Sequence, residues 1–186
     1  MKKICFVGAP STGKSTLAGI IAKRLERAGY KTELVSEYAR DFIVEHGKIK
    51  KAEDQILIAK GQKKREEEAA QKNPQFIICD CAVFLARIYA SLFKPNSKNS
   101  NEILNYKKAL KEIDREIKEE IGGYHYIFFL PPEIPAEEDG VRLYTDKIFE
   151  ISDKIKEFLI SEKINYLEVN GNIENRTSKV FKVLKI

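Results

Sequence analysis

The sequence predicts an α/β fold in which a five-stranded parallel sheet lies between helices on both of its faces. Two observations lead to this prediction. Five short apolar runs alternate with segments of helical spacing, and the first run passes directly into a glycine-rich loop and an amphipathic helix. Short, nearly continuous apolar strands are typical of parallel sheets covered on both faces. The 186 residues suit one domain, so we expect residues 1–186 to form a single three-layer unit.

The predicted elements follow one another in a regular order. The expected strands are residues 4–7, 32–36, 76–79, 124–130 and 166–169. After the first strand, Leu17, Ile21 and Leu25 recur at helical spacing, and Gly29 ends the helix. A long middle helix carries apolar residues three and four apart from Ile103 to Ile121 and ends at a glycine pair. Residues 95–121 therefore form a predicted added segment, a polar loop followed by this helix.

The composition favours a soluble globule. Lys and Arg number 33 against 28 Asp and Glu, a net charge of +5, and 43% of the residues are apolar, which excludes a mostly disordered chain. The bases at residues 63–65 are followed at once by Glu66, Glu67 and Glu68. Mixed signs along a helix predict a solvated face, so we expect no nucleic-acid partner.

Membrane and export classes are not predicted. Every apolar run is far shorter than the roughly 20 residues that span a bilayer. The first run leads into the glycine-rich loop and not into a cleavage site. Cys5, Cys79 and Cys81 show no C-x-x-C spacing and have apolar neighbours, which predicts reduced thiols in core strands. We therefore expect a cytoplasmic location; the sequence does not predict an oligomeric state.

The glycine-rich loop is the most specific motif. It fits the pattern G-x-x-x-x-G-K-S/T in full, with Gly8, Ala9, Pro10, Ser11, Thr12, Gly13, Lys14, Ser15 and Thr16. Between a strand and a helix, such a loop directs backbone N–H groups at a phosphate chain. Lys14 is expected to reach the outer phosphates of ATP, and Ser15 to offer its hydroxyl to Mg²⁺.

Asp80 ends the third predicted strand and is the second candidate for Mg²⁺. A carboxylate there lies at the carboxyl edge of the sheet, where open α/β sheets bind ligands. The same position also suits an aspartate that caps the following helix. The two roles can coexist.

Glu37, Arg40 and Asp41 follow the second predicted strand. Their spacing puts them on one side of a helical turn that begins at the same edge of the sheet. Glu37 is a candidate to orient or deprotonate an acceptor hydroxyl, and Arg40 a candidate to bind phosphate or fix Glu37. The alternative is an ion-paired surface turn.

Arg142 ends a proline-rich, acidic segment beyond the fourth predicted strand. Such a loop suits a mobile flap that brings positive charge over a transferring phosphoryl group. We expect a lid at residues 132–147, with Arg142 as a catalytic candidate. An exposed loop arginine carries no such meaning by itself.

Together these segments resemble the P-loop ribosylnicotinamide kinase module of NadR-type proteins and related small ATP-binding domains. The matching segments are the phosphate loop, Ser-Glu-Tyr-Ala-Arg-Asp-Phe at 36–42, the pair Gly61-Gln62, and residues 76–80 and 124–142. The resemblance implies a nucleotide-kinase-like fold with ATP on the loop, Mg²⁺ near Ser15 and Asp80, and Arg142 in the lid. The sequence departs from the NadR pattern at three places. Ala82 replaces a second acid, and Ala136 replaces an aromatic residue of the flap. In the lid a second arginine is missing, and Lys147 is the nearest cation.

The resemblance implies transfer of the ATP γ-phosphate to a hydroxyl of a nucleoside-like small molecule. Catalytic candidates are Lys14, Glu37, Asp80 and Arg142; acceptor candidates are Glu37, Arg40 and Asp80. The GTPase motifs D-x-x-G and N-K-x-D are absent from the sequence. An alternative hypothesis is a nucleotide-dependent regulatory ATPase or switch that binds a protein partner through the middle helix.

Overall fold

A five-stranded parallel sheet forms the centre of the molecule and confirms the predicted fold class. The computed structural model describes residues 1–96, 99–133 and 145–186. The strands are β1 (Lys2–Val7), β2 (Thr32–Val35), β3 (Phe76–Cys79), β4 (Tyr126–Phe129) and β5 (Leu167–Glu168), in the order β2-β3-β1-β4-β5. Because β3 and β4 flank β1, the carboxyl ends of all three strands meet beside the loop that leaves β1.

Helices cover both faces of this sheet. They are α1 (Lys14–Arg27), α2 (Tyr38–His46), α3 (Asp54–Gln71), α4 (Leu85–Ser91), α5 (Ser100–Ile121), α6 (Ile148–Ser161) and α7 (Ile173–Leu184). A short 3₁₀ turn at Thr145–Lys147 precedes α6. Helices α1 and α7 pack on one face, and α3, α4, α5 and α6 pack on the other.

The alternation of strand side chains builds the two apolar layers. Along β1, Ile4 and Phe6 face α1 and α7, while Cys5 and Val7 face the opposite layer. The rings of Phe6 and Phe128 stack with their centroids 5.6 Å apart and extend this pattern across β1 and β4. Since both faces of each central strand are buried, the strands read as continuous apolar runs in the sequence.

Helix α5 matches the predicted middle helix closely. Its predicted apolar stripe packs inward: Ile113 and Ile117 are buried, and Tyr106, Leu110 and Ile121 lie against the same core. Asn99 caps the helix, its side chain accepting a hydrogen bond from the backbone N–H of Asn101. Within the described residues, no helix combines the length and the apolar character that a membrane span requires.

Candidate active site

The phosphate loop connects β1 to α1 at the central edge of the sheet. Gly8 begins the loop where it passes the end of β4. A Cβ atom at this position would lie 2.6 Å from the carbonyl oxygen of Leu130 and 2.9 Å from Thr12 Oγ1. Only glycine allows this approach without displacing backbone. The requirement for Gly8 in the motif is therefore also a packing requirement of this chain.

Two side chains of the loop close it on itself. Lys14 is buried, and its Nζ donates a hydrogen bond of 2.8 Å to the carbonyl oxygen of Ala9. Thr12 Oγ1 donates a second bond of 2.9 Å to the same oxygen. The Lys14 ammonium is thus held over the loop, above the start of α1, where the backbone N–H groups of the first helical turn have no partner within the helix. Backbone donors and a buried cation together form an anion site.

Asp80 follows β3 and lies beside the loop. Its carboxylate accepts a hydrogen bond from Ser15, and Oδ1 is buried without a hydrogen-bond partner among the described residues. Burial raises the pKa of Asp80 above its ordinary value, although the Ser15 bond and the Lys14 charge oppose this shift. Asp80 does not cap the next helix, because α4 begins at Leu85 and is preceded by Phe84 with no side-chain cap.

Ser15 and Asp80 fit a magnesium ion. A buried carboxylate oxygen without a partner and an adjacent hydroxyl are both ligand types that Mg²⁺ accepts. No cluster of three or more His, Cys, Asp or Glu side chains suited to a metal occurs in the described parts of the chain. This agrees with the habit of Mg²⁺ of using one or two protein ligands together with nucleotide phosphates and water.

Glu37 lies directly before α2 and faces the same space. Arg40 Nε lies 3.4 Å from Glu37 Oε2, and the Glu37 side chain is about one fifth exposed, at 20%. Asp41 points elsewhere and pairs with Arg65 of α3. Of the three residues expected on one side of this turn, Glu37 and Arg40, the two candidates for the site, therefore lie in it.

One cavity joins the phosphate loop to an apolar pocket. Its polar wall contains Lys14, Ser15, Glu37 and Arg40, and its apolar wall is built from Ile43, Ile49, Ile58, Ala59, Ala82, Val83, Leu85, Ala86 and Tyr89. Gln55 lies in this wall and is only 2% exposed. Gln62 lines the same cavity. Two buried carboxamides thus add polar groups to a largely apolar wall.

The structure brings together Lys14, Ser15, Glu37, Arg40 and Asp80, and the charges of Lys14, Glu37 and Arg40 all act on Asp80. Arg142 lies outside the described residues. Of the predicted lid, residues 132–133 and 145–147 are described, and Lys147 is exposed immediately before α6.

Arg176 of α7 has a place in the site that the sequence did not predict. It is fully buried, and its Nη1 donates a 2.6 Å hydrogen bond to the carbonyl oxygen of Thr12 in the phosphate loop. Its Nη2 lies 3.2 Å from Glu133 Oε2, while its Nε has no partner among the residues described. A buried guanidinium of α7 therefore stabilises the backbone of the phosphate loop.

Glu66 corrects the prediction that the charged run at residues 63–68 forms a solvated face. It is only 2% exposed, whereas the adjacent Glu67 and Glu68 are exposed. Its Oε2 lies 2.5 Å from Lys3 Nζ, and the hydroxyl of Tyr124 donates to Oε1 at 3.0 Å. The sequence feature that could have indicated this burial is helical spacing, because Glu66 recurs with Gln55, Gln62 and Ala69 on the buried face of α3.

Comparisons with known proteins agree with this architecture. A family model described as an AAA domain matches residues 3–176. A search of curated protein sequences found no match. Among solved structures, a NadR protein in complex with NAD and AMP-PNP superposes with a TM-score of 0.79 at 16% identity, covering 100% of this chain and 50% of that chain.

A deoxyadenosine kinase from M. mycoides with bound dATP gives a TM-score of 0.68 at 16% identity, covering 99% of this chain and 100% of that chain. The chain spans about half the length of the NadR protein that it matches. At such identities the likeness shows a shared fold.

Proposed function

The chain belongs to the AAA-domain family, and from this premise we propose that it is an ATP- and Mg²⁺-dependent phosphotransferase. It moves the γ-phosphate of ATP to a hydroxyl of a nucleoside-like small molecule. The observation that carries the proposal is the shared cavity, in which a phosphate loop and a pocket of mixed polarity open onto each other. A hydrolase needs only the phosphate loop and a water; a kinase also needs the pocket.

At the phosphate end, backbone N–H groups of the loop and the amino end of α1 bind the phosphate chain. Lys14 exchanges its bond to the Ala9 carbonyl for a phosphate oxygen and offsets the charge that develops during transfer. Ser15 and Asp80 would hold Mg²⁺, which when bound would supply positive charge to the phosphate oxygens. Arg142 is proposed to add a further positive charge from the lid.

At the acceptor end, Glu37 accepts the proton of the acceptor hydroxyl. The hydroxyl oxygen then forms a bond to the γ-phosphorus, the bond from this phosphorus to the β,γ-bridging oxygen breaks, and ADP leaves. Arg40, 3.4 Å from Glu37, orients this carboxylate and binds the incoming phosphoryl oxygens.

The pocket fits the base of a nucleoside. Its apolar wall would cover a flat, uncharged ring, and the carboxamide of Gln55 offers one donor and one acceptor to the ring edge. The superposed proteins support this substrate class, since one binds NAD and another is a deoxyadenosine kinase.

The alternative of a partner-binding switch places the partner on α5. The apolar stripe of α5 is covered by the chain's own core, and its outer face is charged. Lys60 and Lys63 of α3 pair with Glu112 and Glu119 of α5 across this boundary. The helix therefore fits a structural layer of the kinase fold.

A coupled assay of ADP release tests the proposal. Wild-type chain, ATP and Mg²⁺ are incubated with single nucleosides, including nicotinamide riboside and deoxyadenosine. At least one acceptor is expected to stimulate ADP release well above the rate with ATP alone, and Lys14→Ala is the matched inactive control. A slow rate that no acceptor changes would favour the switch.

A further inference from the structure

The pair Gly61-Gln62 on α3 has a specific contact that the catalytic proposal does not use. A Cβ atom at residue 61 would lie 2.3–2.5 Å from ring atoms of Tyr38, so only glycine leaves room for that ring against α3. The guanidinium of Arg65 lies over the same ring, 4.8 Å from its centroid. Helix α3 thus packs against Tyr38, the first residue of α2, which directly follows Glu37.

Gln62 completes this contact with a hydrogen bond to the backbone. Its Oε1 accepts from the N–H of Tyr38 at 2.9 Å. That N–H belongs to the first turn of α2 and has no partner within the helix. Glu37 occupies the capping position but makes no side-chain capping bond. Because Gln62 binds the end of the helix, the carboxylate of Glu37 remains directed to the cavity.

The orientation of the Gln62 carboxamide is fixed from behind. Its Nε2 donates to Glu66 Oε1 at 3.3 Å and approaches the carbonyl oxygen of Cys81 at 3.5 Å. The Cys81 carbonyl and the ionised Glu66 carboxylate can accept hydrogen bonds but cannot donate them. The amide nitrogen must therefore face these two groups, and the amide oxygen must face Tyr38. Cys81 follows Asp80, so the same carboxamide touches both sides of the proposed acceptor site.

Two further groups favour the ionised, accepting state of Glu66 and oppose the effect of burial, which raises its pKa. Lys3 Nζ lies 2.5 Å from Oε2 and also 2.9 Å from Glu120, and the Tyr124 hydroxyl contacts both carboxylate oxygens at 3.0 and 3.1 Å. Such a buried, fully bonded network has one low-energy arrangement. It extends from β1 and α5 through α3 to the start of α2.

We propose that Gln62 is a positioning residue for Glu37, and that buried Glu66 sets the orientation of the Gln62 carboxamide. The proposal rests on the role given to Glu37 in phosphoryl transfer. Gln62 also lines the cavity, but both ends of its carboxamide are engaged by protein groups, so it acts through the backbone of Tyr38 and Glu66 acts through Gln62. A small displacement of a catalytic group lowers the rate without weakening nucleotide binding.

The test uses Gln62→Met, which keeps the volume and removes the bond to Tyr38, and Glu66→Gln, which removes the charge. Gln71→Met at the exposed end of α3 and Glu67→Gln next to the buried acid are the matched controls. Hydrogen exchange of the Tyr38 amide is followed together with kcat and the KM for ATP and for the acceptor. We expect faster exchange and a kcat reduced about 10- to 100-fold, with the KM for ATP unchanged.

A double-mutant cycle separates positioning from general structure. If Gln62 acts through Glu37, then Gln62→Met adds little to the loss already caused by Glu37→Gln. Additive losses, or an equal loss of ATP affinity, would overturn the proposal. If the Gln62→Met variant does not fold, hydrogen exchange of the Tyr38 amide in the Glu66→Gln variant is the test. Exchange as slow as in the wild type would then overturn the proposal.

These outcomes are distinguishable from failure of the proposed function. A chain that transfers no phosphate to any acceptor refutes the function, while Tyr38 exchange still reports on the contact. An inactive Glu37→Gln beside a fully active Gln62→Met leaves the function intact and refutes the positioning role.

Discussion

The hydroxyl of Ser15 donates a hydrogen bond to the carboxylate of Asp80, and the other oxygen of that carboxylate is buried without a partner in the described part of the chain. Burying a carboxylate oxygen without a hydrogen bond costs stability. Such a cost is typical of functional sites, where a ligand offsets it.

Asp80→Asn is therefore expected to separate stability from activity. Mg²⁺-dependent turnover should fall by at least about 10²-fold, because a charged ligand and its field are lost. The free energy of unfolding of the ligand-free chain should rise by about 1 kcal/mol, or about 2–4 °C in Tm. Urea and thermal unfolding measure this, with exposed Asp153→Asn as the control.

The same substitution predicts a pH dependence of stability. Burial raises the pKa of Asp80 in the folded chain. Protonation of Asp80 therefore stabilises the folded chain. This stabilisation is fully present below the ordinary Asp pKa and is lost as the pH rises through the raised value. Asp80→Asn should remove this loss, and parallel curves for the two proteins from acidic to neutral pH would refute the assignment.

Lys14→Ala should weaken ATP binding by at least about 10²-fold, since the loop loses its buried cation. Binding of a fluorescent ATP analogue measures the effect. Lys23→Ala removes an exposed lysine from the same helix and should leave the affinity unchanged. Wild-type affinity in Lys14→Ala would remove this lysine from the phosphate site.

Glu37→Gln should lower kcat by about 10²–10⁴-fold at an unchanged KM for ATP, because a carboxamide cannot take the acceptor proton. Steady-state kinetics against both substrates measure this. Glu45→Gln on the exposed side of α2 is the control. A rate near that of the wild type would reduce Glu37 to a structural turn residue.

The sequence predicted the sheet, the phosphate loop and α5 because each has a pattern that one segment carries alone. Helix α3 shows why other features were missed. Its buried face contains Gln55, Gln62 and Glu66, so the apolar periodicity that identifies a core face is interrupted by polar residues. Arg176 was missed for a different reason: its partners, Thr12 and Glu133, come from distant segments that only the fold brings together.

The buried pair of Lys3 and Glu66 provides a test of the packing that supports the site. Lys3→Met should destabilise the chain by about 3–5 kcal/mol, because it leaves Glu66 buried without its cation. Replacing both, as Lys3→Met with Glu66→Leu, should recover much of that loss. Urea unfolding of the two variants checks the difference; equal losses in both would refute the pairing.

Lys3 also predicts an alkaline transition. Burial by itself lowers the pKa of Lys3, but Glu66 and Glu120 outweigh it and raise the pKa above the ordinary value of 10.5. The stability from this group is therefore complete below that value and is lost as the pH rises beyond it. Lys3→Met should show a smaller loss of stability than the wild type above this pH.

Gln55→Leu should raise the KM for the acceptor by about 10–100-fold and leave the KM for ATP unchanged, since the pocket loses its polar group at the ring edge. Gln71→Leu, at the exposed end of the same helix, is the control. An unchanged acceptor KM would mean that Gln55 does not contact the acceptor.

The most direct measurement of the central claim follows the phosphate itself. ATP labelled at the γ-phosphate is incubated with the wild-type chain, Mg²⁺ and the acceptor that most stimulates ADP release, and the products are separated by mass. The account predicts a phosphorylated acceptor formed in equal amount to ADP and absent with Lys14→Ala. Release of the label only as inorganic phosphate, with every acceptor unchanged, would contradict it.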